Sequence, residues 1–85
     1  MTKPISVKVD LNANAGYIRY AEGKVAGTLD VWSDGWVAAD LDDDGRVLGI
    51  EVLSFDDETL GHAKKYAQSQ GLAFPAHLEG ALVQA

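Results

Sequence analysis

The sequence predicts an α+β domain: a five-stranded antiparallel β-meander followed by one or two C-terminal helices packed on one face. Three observations carry that reading. Apolar and polar residues alternate with period two through the first two-thirds of the chain. Turn-forming residues break the alternation at short intervals, and after Asp56 the apolar spacing becomes helical. No repeat, linker or low-complexity tract divides the 85 residues, so residues 1–85 read as one domain, with the meander at about 5–54 and a helical tail at about 56–84.

The elements follow in order. Ile5, Val7 and Val9 alternate with Ser6, Lys8 and Asp10 as a half-buried strand, and Asn12 to Gly16 interrupt it with turn-prone residues. Tyr17-Ile18-Arg19-Tyr20 is a second strand rich in β-formers, closed by a turn at Ala21-Glu22-Gly23 in which Gly23 takes a left-handed conformation. A third strand spans about Lys24 to Trp32. Asp34-Gly35 then makes a two-residue hairpin turn into Trp36-Val37-Ala38-Ala39. Asp42-Asp43-Asp44-Gly45 makes a type I turn, with Gly45 left-handed, into Val47 to Leu53.

Asp56 or Asp57 suits a helix N-cap, and Asp56-Asp57-Glu58 complements the helix dipole. Leu60, Ala63 and Ala67 form the buried stripe with Tyr66 on its flank, and Gly71 ends the helix. Pro75 opens a short second helix from Ala76 to about Gln84, with Leu78 and Leu82 one turn apart.

Ideal turns at Asp34-Gly35 and Asp42–Gly45 would fix the faces of the sheet. They put Leu29, Val31, Ala38, Leu48, Ile50 and Val52 on one face. Trp32, Val37, Ala39, Leu41, Val47 and Leu53 fall on the other, interrupted by Thr28, Asp30 and Glu51. One helical layer covers one face, so the second needs a cover of its own: the tail from Gly71 to Ala85 or a second molecule. Trp32, Val37, Leu41, Val47 and Leu53 are therefore the expected interface of a two-fold homodimer.

Composition narrows the function classes. Seven Lys+Arg against thirteen Asp+Glu give a formal charge of −6, which speaks against a basic nucleic-acid surface or an anionic-membrane binder. The absence of cysteine excludes disulfides, thiolate chemistry and Cys-ligated zinc. No apolar run approaches a membrane span, and Met1-Thr2-Lys3-Pro4 lacks a signal-peptide core, so a cytoplasmic protein is expected.

Asp40 to Glu51 matches the calcium-loop pattern, with carboxylates at Asp40, Asp42, Asp44 and Glu51 and glycine at Gly45. Its flanks are β-patterned, however. In an extended strand Glu51 lies roughly 20 Å beyond Gly45, at about 3.3 Å per residue, too far to close on an ion. Calcium binding is therefore the lesser reading.

Glu51 between Ile50 and Val52 is a candidate raised-pKa acid, but no nucleophile or second catalytic group is placed beside it. His62 and His77 read as surface histidines. Trp32, Trp36, Tyr17 and Tyr20 lack the basic neighbours of a base-stacking platform and read as packing residues. The glycines form no phosphate loop, and none of the four serines has a base set beside it.

Two stretches carry a resemblance: Ala15 to Tyr20 followed by Glu22-Gly23-Lys24-Val25, and Asp40 to Leu53. Both are similar to segments of the prokaryotic and phage family known as domain of unknown function 2283, and the resemblance covers roughly residues 5–55. Val9 and Asn14 stand where the family usually has Tyr and Asp, and Gly16 replaces a Leu. The resemblance implies a β-meander in which the calcium-like string is a hairpin, and it implies no enzyme activity. Some members are encoded beside small toxin-like proteins, which implies an antitoxin-like or phage regulatory role.

The expectation is therefore a small acidic protein-interaction module that self-associates, without catalysis or cofactor. The alternatives are an antitoxin-like or phage regulatory protein that binds a basic protein, and calcium binding through Asp40–Glu51.

Overall fold

A computed structural model describes residues 1–76 and Leu78. Five strands, β1 (Ser6–Asp10), β2 (Ala15–Arg19), β3 (Gly27–Trp32), β4 (Val37–Leu41) and β5 (Val47–Val52), precede one helix, α1 (Asp57–Ser69). Every strand pairing is antiparallel, and the fold is α+β as expected. The expected short second helix falls, beyond Ala76 and Leu78, outside the described residues.

The strand order is β1-β2-β5-β4-β3, which departs from a simple meander. The Ala21–Gly23 segment does not close a hairpin. Tyr20 and Ala21 donate their backbone N–H groups to the Leu48 carbonyl (2.8 and 3.2 Å), and Ala26 donates to Leu41 O (2.8 Å). The chain thus crosses the ends of β5 and β4 and descends as the edge strand β3. Gly23 has φ +147°, and a Cβ there would lie 3.1 Å from Leu48 Cδ2. Two tightly turned hairpins, β3–β4 and β4–β5, fill the centre and leave β2 to pair with β5.

Both hairpin turns form where their residues dictate. Ser33, Asp34 and Gly35 all have positive φ, and Gly45 is left-handed at +80°. Asp42 closes its turn by accepting from Asp44 N and Arg46 N, each at 2.9 Å.

Beyond each turn, however, a bulge shifts the register by one residue. Trp32 pairs with Val37 but Asp30 pairs with Ala38, so Val31 is extra. Leu41 pairs with Val47 but Asp40 pairs with Gly49, so Leu48 is extra. The first bulge is braced by Asp30 Oδ1, which accepts from Gly35 N at 3.0 Å, and the second by Tyr20 N and Ala21 N, just past β2, on Leu48 O.

These bulges correct the expected faces. Val37 and Ala39 share a face with Ile50 and Val52, while Ala38 faces the other way with Glu51. Ile18, Val37, Ala39, Ile50 and Val52 are fully buried, and Leu60, Ala63 and Ala67 of α1 pack with them. Alanine at 63 and 67 lets the helix axis approach the sheet closely. Each buried Val or Ile contributes roughly 1.5–3 kcal/mol.

The helix begins at Asp56, whose Oδ1 accepts from Thr59 N at 2.7 Å. It ends at Gly71, φ +72°, where Gly71 N donates to Gln68 O and Leu72 N to Ala67 O. The following segment is anchored to the N-terminus: Thr2 N donates to Gly71 O (3.0 Å), Ala73 N donates to Thr2 O (2.8 Å), and Tyr20 Oη donates to Ala73 O (2.9 Å).

Candidate functional site

The face of the sheet opposite α1 carries the polar and aromatic side chains. Register places Lys8, Tyr17, Glu51, Ala38 and Asp30 in one row across the sheet, and Ser6, Arg19, Gly49, Asp40 and Thr28 in the next. The ladder continues past the strand ends, with Leu53 N donating to Trp36 O at 2.9 Å. Alternation then carries Trp36 and Leu53 to this face, where they are 45% and 40% exposed.

At the centre lies a hydrogen-bonded cluster drawn from three strands. Tyr17 Oη donates to Asp40 Oδ2 at 2.9 Å and Thr28 Oγ1 donates to Asp40 Oδ1 at 2.8 Å, so both carboxylate oxygens are held. Gly49 makes this possible. A Cβ there would run into the ring and hydroxyl of Tyr17, so only glycine lets the phenol lie across β5 to reach β4. The Arg19 guanidinium sits 5.7 Å from the Tyr17 ring centre and reaches Ala21 O at 3.4 Å.

Burial and the Asp40 carboxylate push the Tyr17 hydroxyl up to about 12, so the phenol keeps its proton and acts as a donor. Tyr20, on the buried side, is raised to about 12 by burial. The cluster is thus a fixed platform with a cation above one ring and Trp36 and Leu53 at its end.

Sequence reasoning missed this cluster. The available signal was Gly49 inside a strong strand pattern, which marks a close approach by another group. What that group was depended on β2 lying next to β5.

The other expected site residues are dispersed. Of the calcium-like string, Asp40 is engaged by Tyr17 and Thr28. Asp42 accepts from Asp44 N, Arg46 N and Arg46 Nε (3.3 Å). Those backbone bonds, led by Arg46 N, hold the Asp42 carboxyl below its ordinary range. Asp44 is exposed on the turn and Glu51 stands in β5 opposite Ala38. Among the described residues no three His, Asp or Glu side chains gather as a metal site.

His62 is half-buried rather than a surface histidine. Its ring stacks on Trp32, with centroids 4.2 Å apart and planes 14° from parallel. His77 lies outside the described residues.

The five residues expected to form one uncovered interface do not share a face. Val37 is fully buried, Trp32 and Val47 pack against the core beneath α1, Leu41 is half-buried, and Leu53 projects to the open face. The bulge at Leu48 is the cause, because a one-residue shift exchanges the faces of β5 relative to β4 and parts Leu53 from the other four.

Two depressions mark the surface. A shallow groove of about 190 Å³ lies beside Tyr17, between Lys8, Asp10 and Glu51. A cleft of about 440 Å³ opens at the end of the sheet between Tyr20, Glu22, Arg46 and Gln70, with the Arg46–Asp42 ion pair at its rim. Among the described residues no helix is long and apolar enough to cross a membrane.

Comparison with known proteins places this sequence in a family. Residues 6–55 match the model of the protein family of unknown function DUF2283, which is more than half of the chain, and the chain belongs to that family. The matched span holds all five strands and ends just before the α1 cap, Asp56. No curated protein and no solved structure matches the chain.

Proposed function

We propose that this member of the family is a protein-interaction module that presents the open face of its sheet to a protein partner and performs no catalysis of its own. The observation that carries the reading is that one face presents Tyr17 and Arg19 at a hydrogen-bonded Asp40 centre and, just before β4, an exposed Trp36, the residue types that dominate binding hot spots. Tyr17 is fixed by Asp40 and Thr28 fixes the same carboxylate, so little side-chain entropy is lost on docking. Trp36 and Leu53 supply exposed apolar area beside it. The formal charge of −6 suits a basic partner, whose approach the acidic turn Asp42–Asp44 would speed.

The test uses the full chain as bait, beside Trp36→Ala and Arg19→Glu variants whose folding is verified by circular dichroism. A partner retained by the wild type, lost by either variant and released by high salt is the expected result. Equal recovery on all three baits would refute the assignment of this face.

A further inference from the structure

We infer that β1 is a self-association edge: a second copy of this chain adds its own β1 antiparallel to it, about a two-fold axis at Val9, to make one continuous ten-stranded sheet. The inference rests on the interaction-module reading and names one partner for it. β1 ends the strand order, so its outer row of N–H and C=O groups faces no other strand among the described residues. An open edge of this kind is a template for an added strand.

The side chains of β1 select both the partner and the register. With Val9 opposite Val9 of the second copy, Lys8 faces Asp10 and Asp10 faces Lys8, two opposite-charge pairs on the open face. On the other face Val9 meets Val9, with Val7 and the turn residue Leu11 just past β1 at either end of an apolar strip in which Val9 is 39% and Leu11 63% exposed. Lys8 makes no ion pair within the described residues. Asp10 uses Oδ1 to accept from Ala13 N at 3.1 Å, leaving Oδ2 for the lysine. Moving the axis one residue to Lys8 would set two lysines face to face. The charges therefore reject the neighbouring symmetric register.

The opposite edge is unsuited to the same pairing. β3 carries Asp30 and no cation, and its Val31 bulge breaks the edge. A β1–β3 contact would be head-to-tail and would leave free edges at both ends, giving open chains of molecules instead of a closed pair.

The experiment is sedimentation velocity on the full chain over a concentration series into the high micromolar range. It compares the wild type with Lys8→Asp, Asp10→Lys and the combined swap. Lys8 and Asp10 are both exposed, and circular dichroism and melting verify that each variant is folded. The wild type should dimerise. Each single substitution should weaken the dimer about tenfold by setting like charges across both symmetric pairs, and the swap should restore it.

A monomeric wild type, a dimer indifferent to both single substitutions, a swap that fails to restore, or a ladder of larger species would each overturn the inference. Trp36→Ala separates it from the wider reading. A monomer that still captures a partner through Trp36 sinks the β1 pairing alone, whereas a charge-dependent dimer without a Trp36-dependent partner sinks the open-face reading alone.

Discussion

Replacing Gly49 with alanine is the sharpest perturbation available at the centre of the open face. The new methyl would occupy the space of the Tyr17 ring and hydroxyl, so the phenol must swing away from β5. The displacement breaks its 2.9 Å bond to Asp40 and leaves the half-buried carboxylate with Thr28 alone. Overpacking costs about 1–3 kcal/mol and loss of a hydrogen bond to a charged acceptor about 1.5–3, so about 2–4 kcal/mol is expected once Tyr17 relaxes toward solvent.

For a domain of this size each kcal/mol moves the melting midpoint by about 4–8 °C, so a fall of about 10 °C or more should appear in thermal and urea unfolding. A double-mutant cycle isolates the cause. In a Tyr17→Ala background the same glycine substitution should cost under about 1 kcal/mol, because the obstructing ring is gone. A Gly49→Ala protein that melts within a degree or two of the wild type would refute the reasoning. So would an undiminished penalty in the Tyr17→Ala background.

Gly16→Leu should destabilise by about 1–3 kcal/mol, because a Cβ at this position already lies 3.0 Å from the Phe55 ring; chemical denaturation of this variant and of Gly16→Leu/Phe55→Ala should show partial rescue in the pair. Asp56→Ala should lower helicity and melting temperature by removing the acceptor of Thr59 N. Asp42 and Asp56 are both held below the ordinary aspartate range in the folded state, so their stabilisation is intact above that range and fades as pH falls through the lower folded values. Acid unfolding should therefore begin at higher pH in Asp56→Ala. Tyr17 and Tyr20 are raised from 10.0 to about 12, so stability linked to their neutral forms is intact below pH 10 and is lost as pH rises toward 12; tyrosinate absorbance should lag behind that of free tyrosine until the fold opens. Micromolar calcium should leave the melting temperature unchanged, and a tight stoichiometric binding isotherm would restore the calcium-loop reading.

Local chemistry is legible in the sequence alone. The left-handed Gly45, the hairpin turn at Asp34-Gly35, the Asp56 cap, the Leu60–Ala63–Ala67 stripe and the Gly71 helix end each depend on residues within a few positions of one another. The antiparallel α+β class followed from the same signals, as did the reading of Asp40–Glu51 as a hairpin instead of a calcium loop.

Long-range pairing was decided only when the chain closed on itself. β2 lies beside β5 because the segment from Tyr20 to Ala26 crosses the sheet end on hydrogen bonds to Leu48 O and Leu41 O, groups more than a dozen residues away. The same Leu48 carbonyl braces the bulge that exchanges the faces of β4 relative to ideal hairpins, sending Val37 into the core and setting Ala38 opposite Glu51 on the face away from α1. A period-two pattern fixes which residues share a face within one strand but not how that strand is phased against its neighbour. A single extra residue costs little locally and inverts the assignment. The Tyr17–Asp40–Thr28 cluster belongs to this second class: its members come from three strands, and its one local trace was a glycine whose purpose became clear only with the ring lying across it.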